Sequence, residues 1–350
     1  MHTEFSYLIS NWYRKNKRSL PWRETRNPYH IWLSEIILQQ TRVAQGIDYY
    51  HKFIRHYPTI KNLAKASEQE ILVDWAGLGY YSRARNLHKT AKYIYGELGG
   101  VFPDNYDDII KLSGVGSYTA AAISSFAFGE AKSVVDGNVY RVLSRIFDIG
   151  TPIDSSAGKK EFSILADSVF PKTEGDTHNQ AMMELGALIC KPKNPNCDTC
   201  PVNNLCESRA KQNQEIRPVK NKKTKVKSRY LHYFLLKNQG RISVEQRKEN
   251  GIWKNMFQLP LIETLINKSI ELEELNETLE FKNIDHFTKI NESVHLLSHQ
   301  KLHIRFYQIT SSLPSNQSRK KGFVKEEDLN KYPFPKPIHE FLKEHIASYA

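Results

Sequence analysis

The chain has 350 residues, 40% hydrophobic and 25% charged, longer than one core usually organises, so two domains are expected. A formal net charge of +12 favours a polyanionic partner, nucleic acid or an acidic membrane surface. The apolar runs are too short to cross a bilayer, which sets aside a membrane-spanning protein.

The opening MHTEFSYLISNWYRKNKR lacks a basic-then-apolar leader and a small-residue cleavage site. It reads as a helix of a cytoplasmic protein, nucleoid-associated and bacterial, in a reducing compartment. Up to about residue 190 the pattern is helices joined by short loops, at roughly 29–43, 45–56, 67–75, 82–96, 117–127, 138–147, 158–168 and 178–189. On the 29–43 helix, Glu35 shares a face with Ile31, Trp32 and Leu38. Helix geometry alone favours a snorkelling surface glutamate over a carboxyl kept protonated by desolvation. The polar but uncharged run Gln39-Gln40-Thr41 that follows suits a surface that meets bases.

Residues 112–119, LSGVGSYT, place two glycines before an alanine-rich helix. Gly114, Val115 and Gly116 form a turn free of Cβ obstruction at the glycines, next to unpaired helix N–H groups, which together make an anion site. The Walker lysine is missing and no strand precedes, so neither common nucleotide cradle fits. Helix, GVG, helix is the layout of a helix-hairpin-helix motif gripping a DNA phosphate, although a glycine-capped helix junction looks similar. Beyond it, VVDGNVYRVLSRI offers Asp136 either as a helix N-cap or as an ionised carboxylate with Asn138 beside it.

All four cysteines fall in CKPKNPNCDTCPVNNLC, with spacing C-x6-C-x2-C-x5-C at Cys190, Cys197, Cys200 and Cys206. Disulfides do not suit a reducing compartment. One close pair with an outlier on each side fits a [4Fe–4S] cluster better than structural zinc. The basic stretch 211–229, KQNQEIRPVKNKKTKVKSR, with Lys220, Lys222, Lys223, Lys225 and Lys227, reads as a linker suited to a phosphate backbone or as a solvated tether. Strands are expected at 230–237, 240–247 and 301–310, and helices near 263–280 and 336–348, a mixed α+β unit.

In order, LSEIILQQT, LSGVGSYTA, VVDGNV and the cysteine loop resemble the helix-hairpin-helix DNA glycosylases that carry an iron–sulfur cluster. LPWRETRNPYHIWLSEIILQQT, GLGYYSRARNL and NQAMMELGALIC resemble their adenine-specific, MutY-type branch. The resemblance implies an all-α glycosylase domain over 1–210, a linker over 211–229 and a Nudix-like α+β domain over 230–350 that senses 8-oxoguanine. It implies a monomer that acts on double-stranded DNA and removes adenine opposite 8-oxoguanine or guanine, with a [4Fe–4S] cluster and room for a cation at the hairpin. Glu35 would protonate the base and Asp136 would stabilise the sugar cation. Asn138 would position the water or Asp136, and Tyr118 would orient the catalytic carboxylate. Relatives that cut the strand carry a lysine where Tyr118 stands, and a phenol cannot form a Schiff base. Trp22, Arg23 and Gln180 would line the adenine pocket, and Gln40 and Tyr80 would wedge into the duplex. In the second domain, GIWKNMFQLP and Leu297-Ser298-His299 match family elements, with leucine where phenylalanine is common. ELEELNETLE lacks the residues of a hydrolytic Nudix box. The alternatives are an endonuclease III-like glycosylase/lyase, a silent DNA-binding protein and a Nudix-type hydrolase.

Overall fold

The computed structural model describes residues 2–221, 226–279, 284–310 and 322–349. Lys222, Lys223 and Lys225 of the basic run lie outside the described residues, as does the end of the helix expected to reach 280. The chain divides into two compact units, Met1–Ala64 with Lys89–Lys222, and Lys65–His88 with Lys223–Ala350.

The first unit is helical. Its elements are α1 (His2–Asn16), α2 (Pro28–Leu38), α3 (Val43–His56), α4 (Ile60–Lys65), the short α7 (Tyr106–Ile109), α8 (Ser117–Phe128), α9 (Gly137–Ile146), α10 (Ser156–Val169), α11 (Gly175–Leu188) and α12 (Glu207–Ala210). Between them in the chain come α5 (Glu68–Asp74), in the second unit, and α6 (Ser82–Gly96), which starts in the second unit and ends in the first. One core joins Phe5, Ile9 and Tyr13 of α1 to Val142 and Leu143 of α9, Phe162 of α10 and Leu185 of α11. The residues of α8 from Thr119 to Ala127 are all buried, and its alanines let neighbouring helices approach closely. In α2 the run Ile31–Ile37 is buried throughout, Glu35 included. The helix expected to reach residue 43 stops at Leu38, because Gln40 takes a left-handed φ of 56° that ends the turn and re-aims the chain.

In the second unit β1 (Lys227–Asn238) is central. It pairs in parallel with β7 (Gln300–Thr310) on one side, Leu231 opposite Ile304. On the other it pairs antiparallel with β5 (Leu261–Thr264) and with β2 (Arg241–Ser243). An 11-residue strand, β6 (His286–Leu296), adds antiparallel to β7, and β8 (Phe323–Lys325) adds to β2. A small hairpin joins β3 (Glu245–Gln246) to β4 (Phe257–Gln258). Residues Leu231–Leu236 are buried on both faces of the sheet. Phe234 and Ile309 pack with Leu275 of α13 (Leu272–Thr278), and Phe306 stacks on Phe341 of α14 (Lys336–His345) at 3.9 Å. The helix expected from 263 begins only at Leu272, because 261–264 pairs with β1.

Candidate active site and cluster loop

A cleft of about 890 Å³ opens in the helical unit. Glu35, Tyr118, Asp136, Asn138, Trp22, Arg23, Gln40 and Gln180 all line it, from four α-helices, a short 3-10 helix and two loops. Glu35 is 8% exposed, so the surface position favoured by helix geometry is not the one it holds. Burial raises its carboxyl to about 7. A hydrogen bond with the Tyr118 hydroxyl opposes that rise, and the nearby Asp136 carboxylate adds to it. The Tyr118 hydroxyl also lies 3.6 Å from Met183 Sδ, and burial pushes its phenol well above the usual range.

Asp136 holds the N-cap position of α9, accepting from the Val139 N–H at 2.7 Å, and also reaches the cleft. Asn138 Nδ2 donates to its other oxygen at 2.7 Å. Burial raises the Asp136 carboxyl, and these hydrogen bonds oppose the rise. Asn138 is held in turn by Arg141 Nη2 at 2.9 Å, whose guanidinium also donates to the carbonyls of Gly186 and Cys190. A polar chain thus runs from the candidate carboxylate to the backbone of the first cysteine.

One part of the wall was not visible in the sequence. Glu184 of α11 is fully buried and accepts from Arg18 and Arg23 at 2.6 and 2.8 Å. Burial alone would raise its carboxyl, but the two guanidiniums outweigh it and hold the group near 2. Arg23 therefore reaches the cleft as half of an ion pair. Arg18 and Glu184 lie 166 residues apart, so no local spacing signals them.

The hairpin follows the short α7. Gly114 has a φ of 80°, Gly116 is the N-cap of α8, and both are exposed while Val115 is buried. The N-terminus of a three-turn helix therefore faces solvent behind a backbone without side chains.

Cys190, Cys197, Cys200 and Cys206 surround one small cavity with Val142, Ile146, Leu185 and Val202. Four thiols on an apolar wall are the donor set a [4Fe–4S] cluster takes. Arg145, buried behind the loop, donates to Cys190 Sγ at 3.3 Å and to the carbonyls of Lys191 and Pro192.

Tyr80, Ser298 and His299 lie in the second unit. They line a cavity of about 430 Å³ with Trp253, His295 and Leu297. Tyr80 stands at the end of a turn with left-handed φ at Gly77, Gly79 and Tyr80 itself. Arg83 clamps that turn by donating to the carbonyls of Leu78 and Gly79 at 3.2 and 3.1 Å, its guanidinium 5.7 Å from the Tyr80 ring. The Tyr80 hydroxyl is hydrogen-bonded to Ser298 Oγ.

The fold and these sites define a helix-hairpin-helix protein of base-excision DNA repair. The model of that superfamily matches residues 33–165, the iron-sulfur binding domain of endonuclease III matches 190–206, and the NUDIX domain matches 232–344. The chain is 36% identical over 344 residues to an adenine DNA glycosylase of Buchnera aphidicola, covering 97% of this chain and 98% of that one. It is 44% identical over 223 residues to the human adenine DNA glycosylase, covering 61% and 41%. Among solved structures, a thermostable thymine-DNA glycosylase superposes with a TM-score of 0.56 at 32% identity, over 60% of this chain and 97% of that one. The chain belongs to the adenine DNA glycosylase family. Its cysteine loop is that of a [4Fe–4S] protein, and Cys190, Cys197, Cys200 and Cys206 would hold the cluster.

Proposed function

We propose that this DNA N-glycosylase hydrolyses the N-glycosidic bond of adenine opposite 8-oxoguanine or guanine in duplex DNA, as a monofunctional enzyme. The observation that carries this reading is the buried Glu35, held near pH 7 beside Asp136 on a cleft large enough for a base. The adenine cannot react inside the stack and must be flipped into the cleft. There the Glu35 carboxyl gives its proton to the base, at N7 by family analogy, and makes it a leaving group. The C1′–N9 bond breaks with its electron pair leaving on adenine, and the sugar gains oxocarbenium character. Asp136, which accepts two hydrogen bonds while Glu35 has Tyr118, is the better stabilised anion of the pair and faces the cationic sugar. Water adds to C1′ and its proton replaces the one Glu35 gave. Tyr118 orients Glu35 and leaves no amine to form a Schiff base, so the strand stays intact.

Trp22, Arg23 and Gln180 form the base pocket, and Gln40 enters the duplex. Gly114, Val115 and Gly116 hold a backbone phosphate. In the second unit Tyr80, Ser298 and His299 meet the opposite base, with Leu297 giving a less aromatic wall than phenylalanine. The chain acts as a cytoplasmic monomer, with residues 1–210 and 230–350 as its working domains. The cluster supplies a fixed loop beside the DNA rather than a group in the reaction.

The test is adenine release under single-turnover conditions from a duplex with adenine opposite 8-oxoguanine. Wild type should release adenine, with breaks only after alkali, and Glu35→Gln should lose at least about 100-fold, the low end of what a general acid contributes. A wild type that binds the duplex with its cluster intact yet frees no adenine would sink this reading. Breaks without alkali would favour the lyase alternative.

A further inference from the structure

Tyr13 lies on α1, 5% exposed, behind the wall of the catalytic cleft rather than on it. Its hydroxyl donates to Gln180 Oε1 at 2.9 Å, and Gln180 is itself on the wall. A glutamine amide is nearly symmetric in shape, and its two ends differ only in that one accepts and the other donates. With Oε1 bound behind the wall, the Nε2 amide is the end left to serve the cleft. The Arg23 guanidinium sits 5.4 Å over the Tyr13 ring, a contact that holds the ring and with it the hydroxyl in place. Arg23 is fixed in turn by Glu184.

We propose that Tyr13 is a positioning residue that sets the hydrogen-bond polarity of Gln180 and through it the base the cleft accepts. This deepens the function proposed above and rests on it. With Glu35 at N7, Gln180 is left for the Watson–Crick edge. There N1 of adenine accepts a hydrogen bond, whereas N1 of hypoxanthine, a purine of nearly the same size, carries a hydrogen and donates. A donor fixed toward the cleft pairs with the first and opposes the second. A site built around one such bond discriminates more sharply than shape alone, because the wrong base leaves buried polar groups unpaired.

The experiment compares wild type with Tyr13→Phe on duplexes carrying adenine or hypoxanthine opposite 8-oxoguanine, under single-turnover conditions. Phenylalanine keeps the ring beneath Arg23 and removes only the hydroxyl, so the melting temperature serves as the folding control. Adenine release should slow by about 5–10-fold, the worth of one hydrogen bond, and the adenine-to-hypoxanthine ratio should fall by a similar factor. Equilibrium binding of non-cleavable 2′-fluoro versions of both duplexes reads the same ratio without chemistry. A packing role would weaken both substrates alike, so an unchanged ratio in both measurements, with an active wild type, overturns the positioning role alone. A wild type that frees no adenine overturns the functional reading and this inference with it.

Discussion

At the scale of single residues, burial holds the Glu35 carboxyl partly protonated at neutral pH. α2 is buried on the turns around it, so ionising Glu35 means placing an anion among Ile31, Trp32 and Ile36. Two consequences follow, one for activity and one for stability, and both are lost as pH rises. The proton needed for base release is present below about pH 7 and lost above it, so the single-turnover rate should fall tenfold per pH unit on the alkaline side. A folded pKa raised above the unfolded one means that the favourable contribution is full at acid pH, below the unfolded value, and disappears as pH rises through about 7. The loss amounts to about 3 kcal/mol at most. Glu35→Gln avoids that ionisation, so it should melt higher than wild type at pH 8 and much closer to it at pH 5. Equal differences at the two pH values would show that Glu35 is not the desolvated acid. Glu35 and Asp136 could be picked out because each sits in a short quotable motif. Glu184, Arg18 and Tyr13 could not, because their partners lie 160 or more residues away and a salt-bridged or packed side chain leaves no local period.

At the scale of elements, the hairpin separates what the fold needs from what a partner needs. Gly114 requires glycine for its positive φ. Gly116 does not: its φ of −97° and ψ of 178° suit any residue, and a Cβ there meets nothing within 4 Å. As the N-cap of α8 it occupies a position where serine is preferred over glycine. The folded chain alone would gain from Gly116→Ser, so the glycine answers to something outside it, a DNA phosphate in the proposed reading. Gly116→Ser should leave the melting temperature unchanged or slightly higher and weaken duplex binding by about tenfold, roughly 1.4 kcal/mol. Unchanged affinity would make the glycine incidental. Most helices of the first unit were legible from period and caps. The strand β6 was not, because it lies at one end of the sheet order and its burial is patchy, so its apolar residues do not alternate cleanly. The helix expected at 263–280 takes in residues 263 and 264, which belong instead to the four-residue β5, too short to fix a period, and pairing with β1 decides them.

At the scale of the whole molecule, the cysteine loop raises the question of what keeps an irregular segment in place. Between Cys190 and Asn221 the chain buries few apolar side chains, Val202 among them, and relies on two polar hubs rooted at the end of α9. Arg145 donates to Lys191 and Pro192 on one side and to Gln214 and Arg217 on the other. Asp148, at a left-handed φ, accepts from Lys211, Asn213 and Arg217 at 3.1, 3.0 and 2.9 Å. The beginning of the stretch read as a linker is therefore fastened to the helical unit up to Asn221, whose N–H donates to Asp154. Arg145 is buried and donates to carbonyls, whereas the Asp148–Lys211 pair reaches solvent, and exposed ion pairs contribute little each. Four metal–thiolate bonds in 17 residues should dominate the local stability, as metal binding does where little core is available. Cys200→Ser should lose the visible absorbance of the cluster and gain protease cleavage between Cys190 and Arg217, while cleavage within the sheet of the second unit stays as in wild type. Its duplex affinity should fall with the loop. A loop that stays protected without the cluster would transfer the work to Arg145 and Asp148, and Asp148→Ala would then be the variant that releases it.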